Sequence, residues 1–324
     1  MTPEPPEDVV ASAERRSAAR AKRDFATADQ LRAQIEDAGW KVIDSGVGYR
    51  LTAAHPPTVE AGGETRYGRS SDVPSRLDEP ASRLATVVVV SREDRQGAVD
   101  TARAVLATTS EAAQVVLVVD GPEAAPDLDV VRDLLLAAAP GADDRLELVQ
   151  TTAVLGQGAA LNAGIRRAVG EAVILVDASV TPTGEWVAPL VAALEEPAVA
   201  LAGPFGLASA DLRHFEEVAR GSAAAIEGYV QAFRRSDFVA RGPLDEGFRF
   251  YRNLDVWWSL ILRDEGPGRP PRRAAVVPGL PLQRNEPAAW TGTSPAERDR
   301  LSKRNFYRLL ERFRSRLDLA VPPG

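Results

Sequence analysis

One carboxylate, Asp177, stands where it can do chemistry, at the end of a short apolar run that is typical of a buried strand. The run, Ala172 to Val176, is preceded by a helical pattern that opens at Gly156. A helix start and the carboxyl end of a strand lie on the same edge of an open α/β sheet, where nucleotide-type ligands bind. Asp177, followed two residues later by Ser179, can reach a metal or a sugar hydroxyl there. The alternative, equally open from spacing alone, is a solvated Asp that caps the following helix.

Two further strand ends carry polar side chains. Ser91 and Glu93 follow the apolar run Thr86 to Val90, and Asp120 ends the next run. We expect these three residues on the same edge as Asp177, as candidates for binding a nucleotide or a substrate. The sequence has no GxGxxG after the first strand and no GxxxxGK[ST]. It therefore disfavours a dinucleotide fold of the dehydrogenase type and a P-loop phosphotransferase.

The composition excludes several kinds of site. The 324 residues include no cysteine and only two histidines, so a thiolate nucleophile, a cysteine-ligated zinc and a multi-histidine metal site are excluded. A net charge of −7 argues against whole-protein nucleic-acid binding. No apolar run approaches the roughly 20 residues that span a bilayer. Because the acidic, proline-rich start is also unlike a secretory signal, we expect a cytoplasmic protein.

Short β-branched runs alternate with helical patterns from about residue 84 onwards. The runs that predict strands are Thr86–Val90, Val115–Asp120, Leu146–Val149, Ala172–Val176 and Ala198–Gly203. Their spacing is that of βαβ units. The sequence therefore predicts an α/β domain over residues 84–324, with a mostly parallel, Rossmann-like sheet and helices on both faces.

The first 51 residues predict a separate small module. A helical pattern over Ala11–Ala38, broken near Asp24, precedes a β-hairpin pattern over Trp40–Leu51. The segment ERRSAARAKRDFATADQLRAQIEDAGWKVIDSGVGYRL, Glu14 to Leu51, resembles the C-terminal extremity of bacterial cysteinyl-tRNA synthetases. The resemblance implies a structural module without synthetase activity. Its arginines alternate with acidic residues, so we expect a solvated helix face, with nucleic-acid binding as the disfavoured alternative.

The segment between the two domains, residues 52–83, is rich in proline, glycine and serine and has no periodicity. This composition predicts a flexible linker.

Three segments of the larger domain carry motifs. VVLVVDGPEA ends its apolar run at Asp120, GQGAALNAGIRRAVGEAVILVDASV contains Asn162 and Asp177, and FRRSDFVARGPLDEGFRFYRNLDVWWSLILRDEG contains Asp255. From about Thr86 to Arg284 they resemble the family 2 glycosyltransferases of GT-A fold. The resemblance implies that Asp120 binds the nucleotide base and that Asp177 is the first Asp of a DxD motif. It also implies that Asp255 is the catalytic base, with Leu254 in place of the usual Glu.

What the resemblance implies is an inverting glycosyltransferase of the hexosyltransferase type. It would move a sugar from a nucleotide-diphospho-sugar to a hydroxyl acceptor that the sequence does not identify. Asp255 would take the acceptor proton. Mg²⁺ or Mn²⁺, bound by Asp177, would neutralise the leaving diphosphate. Gln157 and Asn162, on the helix that precedes Asp177, complete the expected donor site together with Ser179.

Two positions depart from the family pattern. Ser179 stands where the second Asp of DxD is expected, and Asn285 stands in the region of a late histidine. Metal binding would then be weak, replaced by Arg284 acting on phosphate, or lost. The alternative hypothesis is therefore a catalytically silent binding or regulatory protein of GT-A fold.

The chain ends in an amphipathic helical pattern, predicted over about residues 295–317. Ser294 and Glu297 form a capping box with Pro295 at the first helical position. One side of the predicted helix is strongly basic. We expect it to pack on the catalytic domain, and peripheral contact with anionic lipid headgroups is a further hypothesis.

Overall fold

The computed structural model describes residues 4–45, 48–61, 63–92, 95–110, 112–122 and 128–323. The chain divides into two compact units, Met1–Arg69 and Ser70–Gly324. The sequence also predicts a small N-terminal part and a large C-terminal part.

The first unit is built on a helical hairpin. Its helices and strands are α1 (Glu7–Ala21), α2 (Phe25–Asp37), β1 (Trp40–Ser45), β2 (Gly48–Ala53), β3 (Val59–Ala61) and β4 (Glu64–Tyr67). The Asp24 side chain caps α2 by accepting a hydrogen bond from the N–H of Thr27, which explains the predicted break. Strands β1 and β2 pair antiparallel, as the predicted β-hairpin requires, and residues 46 and 47 between them lie outside the described residues.

The predicted linker over 52–83 differs from the structure. This range contains β3, β4 and a short 3₁₀ turn at Ser70–Asp72. After the turn, the carbonyl of Val73 accepts from the Arg166 side chain at 2.6 Å, and the N–H of Arg76 donates to the Arg166 carbonyl at 2.7 Å. Residues 73–76 are therefore fixed by hydrogen bonds at the end of a helix, which composition alone does not predict.

The second unit begins with alternating strands and helices. In chain order they are β5 (Arg83–Ser91), α3 (Arg95–Thr108), β6 (Ala113–Val119), α4 (Leu128–Ala138), β7 (Leu146–Thr151), α5 (Gln157–Ile165), β8 (Gly170–Val176), β9 (Val180–Pro182), α6 (Val187–Glu195) and β10 (Val199–Gly203). The predicted βαβ pattern therefore holds through β10.

The remainder of the unit is less regular. Its elements are β11 (Gly206–Ala208), β12 (Glu216–Val218), β13 (Gly221–Ala223), β14 (Ala225–Ile226), β15 (Val230–Arg234), α7 (Arg235–Arg241), α8 (Leu254–Arg263), β16 (Arg273–Val276), β17 (Leu282–Arg284), α9 (Ala288–Thr291) and α10 (Pro295–Phe313). The N-terminal cap of α10 is Ser294, as the capping-box pattern predicts. Within the described ranges, no helix has both the length and the apolar character needed to cross a bilayer.

The main sheet brings the predicted strand ends to one edge. Its strands in this unit lie in the order β13-β16-β10-β15-β8-β5-β6-β7. Strand β5 is parallel to both β6 and β8, while β15 is antiparallel to β8 and β10. Val89 pairs with Val176, and Ser91 with Val119. The residues that follow these strands, Asp120 and Asp177 among them, therefore share one edge of a mostly parallel sheet.

Both faces of the central strands are covered. All seven residues of β6 are buried, and the side chains of one face pack with α3, α4 and α6 in a single apolar core. The other face packs against α5, where Gly164 allows a close approach. A Cβ at Gly164 would lie 2.5 Å from Cγ1 of Val88 and 2.9 Å from Cγ2 of Val118. The glycine two residues after Asn162 is thus explained by helix-to-sheet packing.

Candidate active site

A cavity of about 610 Å³ opens at the sheet edge that the sequence singles out. This volume lies in the range of roughly 300–1,000 Å³ that ligand pockets occupy. Of the predicted site residues, Gln157, Asp177 and Asp255 line it. Residues far apart in sequence, on α5, after β8 and on α8, therefore face one space.

Asp255 lies in the first turn of α8, in the wall of this cavity. Its carboxylate accepts two backbone hydrogen bonds, from the N–H of Gly228 to Oδ2 and from the N–H of Val256 to Oδ1, both at 2.9 Å. Burial raises the pKa of Asp255 above its ordinary value of 3.8, although the two amides oppose the shift. The result is a fixed carboxyl group with an increased affinity for a proton.

Asp177 follows β8 and is partly exposed to the cavity. Its Oδ1 accepts from the backbone N–H of Ser179 at 2.9 Å and from the Ser179 hydroxyl at 2.5 Å. Ser179 is thus a hydrogen-bond partner of Asp177, and its place in the donor site stays a prediction. The N–H of Asp177 donates to the carbonyl of Tyr229 at 3.0 Å. Because the neighbouring Gly228 donates to Asp255, one short segment before β15 positions both aspartates.

The residues at this edge do not fit a divalent ion held by the protein. Within the described ranges, no group of three or more Asp, Glu or His side chains could hold a metal ion by itself, so an ion at Asp177 would depend on phosphate oxygens of a bound nucleotide. One oxygen of Asp177 is engaged by two hydrogen bonds from Ser179. Asn285 stands where the resemblance places a histidine, and its N–H donates to the Ser179 carbonyl. We therefore assign no chemical step to a metal.

Asp120 is fully buried at the end of β6. Its Oδ1 accepts from the N–H of Leu155 at 2.8 Å and from the Thr151 hydroxyl at 3.1 Å, and its Oδ2 accepts from the N–H of Gly156 at 3.1 Å. Burial raises the pKa of Asp120, and these hydrogen bonds oppose the shift. In the structure its carboxylate anchors the loop before α5, and binding of a nucleotide base stays a prediction.

Asn162 is buried within the protein. Its amide nitrogen donates to the Leu244 carbonyl and to Glu246, and its Oδ1 accepts from the N–H of Leu244. It therefore fixes the loop before α8. Gln157 accepts from Arg92 at 2.6 Å. The Ser91 hydroxyl is buried and has no hydrogen-bond partner among the described residues.

Glu93 lies outside the described residues. Its predicted place in the donor site therefore stays a prediction.

Arg284 is held by other side chains. It donates to Glu227 at 2.8 Å and to Glu217 at 3.5 Å. Its guanidinium carbon lies 4.3 Å from the ring centre of Phe205 and 5.0 Å from that of Tyr229. A phosphate would have to compete with these contacts for the guanidinium. Phosphate binding by Arg284 therefore stays a prediction.

Sequence reasoning missed several polar residues that line the cavity, among them Glu227, Tyr251, Arg252 and Lys303. Burial, together with repulsion from the Glu217 charge, raises the pKa of Glu227, while Arg284 lowers it. Burial also raises the pKa of Tyr251 to about 12. Of these four residues, the sequence could have indicated only Glu227, because it is a carboxylate between two short apolar runs.

Some basic residues of the two predicted charged faces form ion pairs with carboxylates. In the first unit, Arg16 is buried and contacts Asp44 at 2.8 Å, and Arg32 contacts Glu36 at 2.8 Å. These pairs lower the positive charge that the unit offers to a polyanion. On α10, Arg308 contacts Asp245 at 2.7 Å.

Residues 86–243 match the model of glycosyl transferase family 2. The match covers just under half of the 324-residue chain. It includes the strand ends with Asp120 and Asp177 and ends before α8.

Solved glycosyltransferases share the fold. GalNAc-T7, solved with UDP, GalNAc and Mn²⁺, is 18% identical with a TM-score of 0.54, over 72% of this chain and 48% of that one. The mannosyltransferase PcManGT from Pyrobaculum calidifontis, in complex with GDP-Man and Mn²⁺, is 20% identical with a TM-score of 0.51, over 76% of this chain and 71% of that one. The predicted fold, a GT-A type α/β domain, is confirmed. At these identities the likeness concerns the fold alone.

A short stretch of the chain has a different relative. A stretch of 51 residues is 51% identical to the cysteine–tRNA ligase of Opitutus terrae. It amounts to 16% of this chain and 11% of that protein. The predicted resemblance is therefore confirmed as a short, partial match.

Proposed function

We propose that this protein is an inverting glycosyltransferase that moves a hexosyl group from a nucleoside-diphospho-sugar to a hydroxyl acceptor. The family 2 match and the GT-A fold support a transferase. The solved relatives with UDP or GDP-Man support a nucleotide-linked donor.

The observation that carries the proposal is the position of Asp255. It shares the cavity with Asp177, at the carboxyl ends of the parallel strands. The raised pKa of Asp255 suits a general base, because a base is most effective when its pKa lies near the working pH.

The proposed step is a direct displacement. The acceptor hydroxyl loses its proton to Asp255 as its oxygen bonds to the anomeric carbon. The bond from that carbon to the diphosphate oxygen breaks, the configuration inverts, and the nucleoside diphosphate leaves with the electron pair. The N–H groups of Gly228 and Val256 hold the carboxylate during this transfer.

The donor would lie along the edge formed by β5, β6 and β8. Asp177 would hydrogen-bond the donor, and Asp120 would act on the base, directly or by holding the loop at Leu155 and Gly156. Gln157 lines the same cavity and would contact the donor.

The test is the Asp255→Asn variant. It is compared with Glu227→Gln, which removes a different carboxylate of the same cavity. Release of nucleoside diphosphate from UDP-, GDP- and dTDP-hexoses is measured, with nucleotide binding followed by calorimetry. We expect Asp255→Asn to lower turnover about 10²- to 10⁴-fold while it retains nucleotide binding. Glu227→Gln should keep most of the turnover. Wild-type turnover in Asp255→Asn would refute the assignment of the base.

A second candidate is a binding or regulatory protein of the same fold that transfers nothing. The specific observation in its favour is the engagement of Asp177 by Ser179. If the wild type binds nucleotides and shows no donor turnover with any acceptor pool, this candidate replaces the first.

A further inference from the structure

A leaving nucleoside diphosphate needs positive charge around it. Near Asp177 the protein offers a divalent ion few ligands, because one oxygen of Asp177 is engaged by Ser179 and the described ranges contain no cluster of three Asp, Glu or His side chains. If the protein binds such a donor, cationic side chains of the cavity are the groups that can supply this charge. Arginine and lysine both form charge-assisted hydrogen bonds with phosphate oxygens.

Two arginines near the edge already donate hydrogen bonds to other residues of the protein. Arg284 donates to Glu227 and packs against two aromatic rings. Arg92 donates to Gln157 at 2.6 Å and to the Arg249 carbonyl at 3.2 Å, and it lies 3.9 Å from Asp120. Neither offers its full set of donors to a ligand.

Arg252 is different. It lines the cavity just before α8, and its guanidinium carbon lies 5.0 Å from the ring centre of Trp290. Stacking on a ring leaves the N–H groups of a guanidinium available. Among the described residues, none accepts a hydrogen bond from this side chain. Its charge also lowers the pKa of both Asp255 and Tyr251, which agrees with a position close to the proposed base.

Lys303 approaches the same wall from α10. It lines the cavity, and its 2.8 Å contact with Asp299 is exposed, so water and a ligand can replace it. Hydrogen bonds tie α10 to the segment that carries Arg252. The buried Asn305 donates to the carbonyls of Phe250 and Arg252, both at 2.8 Å.

One more hydrogen bond reinforces this contact. The Asn253 side chain donates to the Ser302 carbonyl at 3.3 Å. Asn253 has a left-handed backbone, with φ at 67°, at the start of α8. The chain therefore turns sharply between Arg252 and Asp255, and the turn is fastened to α10 beside Lys303.

We propose that Arg252 and Lys303 together bind the diphosphate of the nucleotide donor in place of a divalent cation. This inference rests on the proposed function, because it assumes a nucleoside-diphosphate ligand. Arg213 also lines the cavity, from the segment between β11 and β12, and the hydrogen bonds that fasten Arg252 to α10 do not include it.

The first experiment is calorimetric titration of the full chain with UDP, GDP and dTDP, in EDTA and then with Mn²⁺. We expect one nucleotide to bind in EDTA, with an affinity that Mn²⁺ changes by less than about threefold, which is under 1 kcal/mol. Inorganic pyrophosphate should compete with it. Failure of pyrophosphate to compete with the bound nucleotide would overturn the inference.

The second experiment uses Arg252→Gln and Lys303→Gln with two matched controls. Arg298→Gln removes the other cation that stacks on Trp290, at 4.2 Å, and Arg304→Gln removes the exposed neighbour of Lys303. Neither control residue lines the cavity. We expect each cavity variant to weaken binding of the diphosphate about tenfold or more, and to weaken the matching monophosphate less. The controls should stay within about twofold of the wild type.

The outcomes separate the two proposals. Binding that requires Mn²⁺ overturns the inference and leaves the proposed function intact. Equal losses in the cavity variants and the controls also overturn it, since they would reflect only total charge. Absence of binding to all three nucleotides, with or without Mn²⁺, overturns the proposed function and the inference with it.

Discussion

Asp120 and Asp255 are two aspartates with raised pKa values and different surroundings. Asp120 ends β6, is fully buried and gives both oxygens to the loop before α5. Asp255 begins α8, accepts two backbone hydrogen bonds and lies in the wall of the cavity. In both cases burial is the largest cause of the pKa shift.

The difference shows that a raised pKa does not by itself identify a catalytic group. Perturbed carboxyl groups also occur where a charge holds a loop in place. Access to a cavity separates the two cases here. We therefore expect changes around Asp120 to act on stability and changes around Asp255 to act on turnover.

The largest stability loss is expected for Gly156→Ala. Gly156 follows the loop that Asp120 holds, and its backbone, with φ at 99° and ψ at 167°, is one that only glycine adopts readily. An added Cβ would also lie 2.9 Å from Cα of Arg249. We expect the free energy of unfolding to fall by about 3 kcal/mol in urea titration. Gly141→Ala, at a positive φ with nothing within 4 Å of the added Cβ, is the matched control and should lose less.

The next largest decrease in the free energy of unfolding, about 2 kcal/mol, is expected for Asp120→Asn. The amide nitrogen of Asn would face N–H donors at Leu155 or Gly156 and leave a buried donor unpaired. The same urea titration on Asp255→Asn should show a smaller loss, because Asp255 is only partly buried and water can pair with a donor that the Asn amide leaves free. Equal losses in the two variants would contradict the proposed contrast.

The pH dependence tests the raised pKa of Asp255. A base must be deprotonated, so turnover should fall as the pH drops through this raised pKa, at a pH above the ordinary value of 3.8. Stability changes in the opposite direction, because protonation relieves the cost of burying the charge. As the pH rises, Asp255→Asn should gain stability relative to the wild type, by about 1.4 kcal/mol for each unit of pKa shift. A pH-independent difference between the two would disprove the shift.

The smallest effect is expected for Gly228→Ala. An added Cβ would lie 3.2 Å from Cβ and 3.4 Å from Oδ2 of Asp255, so the carboxylate must move by a few tenths of an ångström. We expect a loss of stability below about 1 kcal/mol and a measurable decrease in turnover, because small misplacements of a catalytic group reduce rates. Unchanged turnover would show that the position of Asp255 is not critical.

Much of the fold can be predicted from the sequence. Continuous β-branched runs such as Thr86–Val90 and Val115–Asp120 predict strands buried on both faces, and the structure has β5 and β6 there. The signals weaken after β10, where short strands and turns replace the βαβ pattern. The run Ile226–Phe233 suggests one strand, whereas the structure has β14 and β15 separated by the segment that holds both aspartates.

The candidate site is predicted in part. Asp177 and Asp255 follow from motifs, and both line the cavity. The phosphate-binding role suggested for Arg284 rests on its place in the sequence, which does not show that Glu227 and two rings surround its side chain. The roles of Arg252 and Lys303 depend on the contact between α10 and the turn before α8, which joins residues about 50 positions apart.

The sequence by itself determined the order of strands and helices through β10, much of the apolar core and the sheet edge where the site lies. These follow from local periodicity and from the residues that end each strand, which a single chain displays directly. The tertiary structure decided which charged groups form pairs with one another and which line the cavity. Charge pairing depends on distances between distant segments, and only the packed chain fixes those distances.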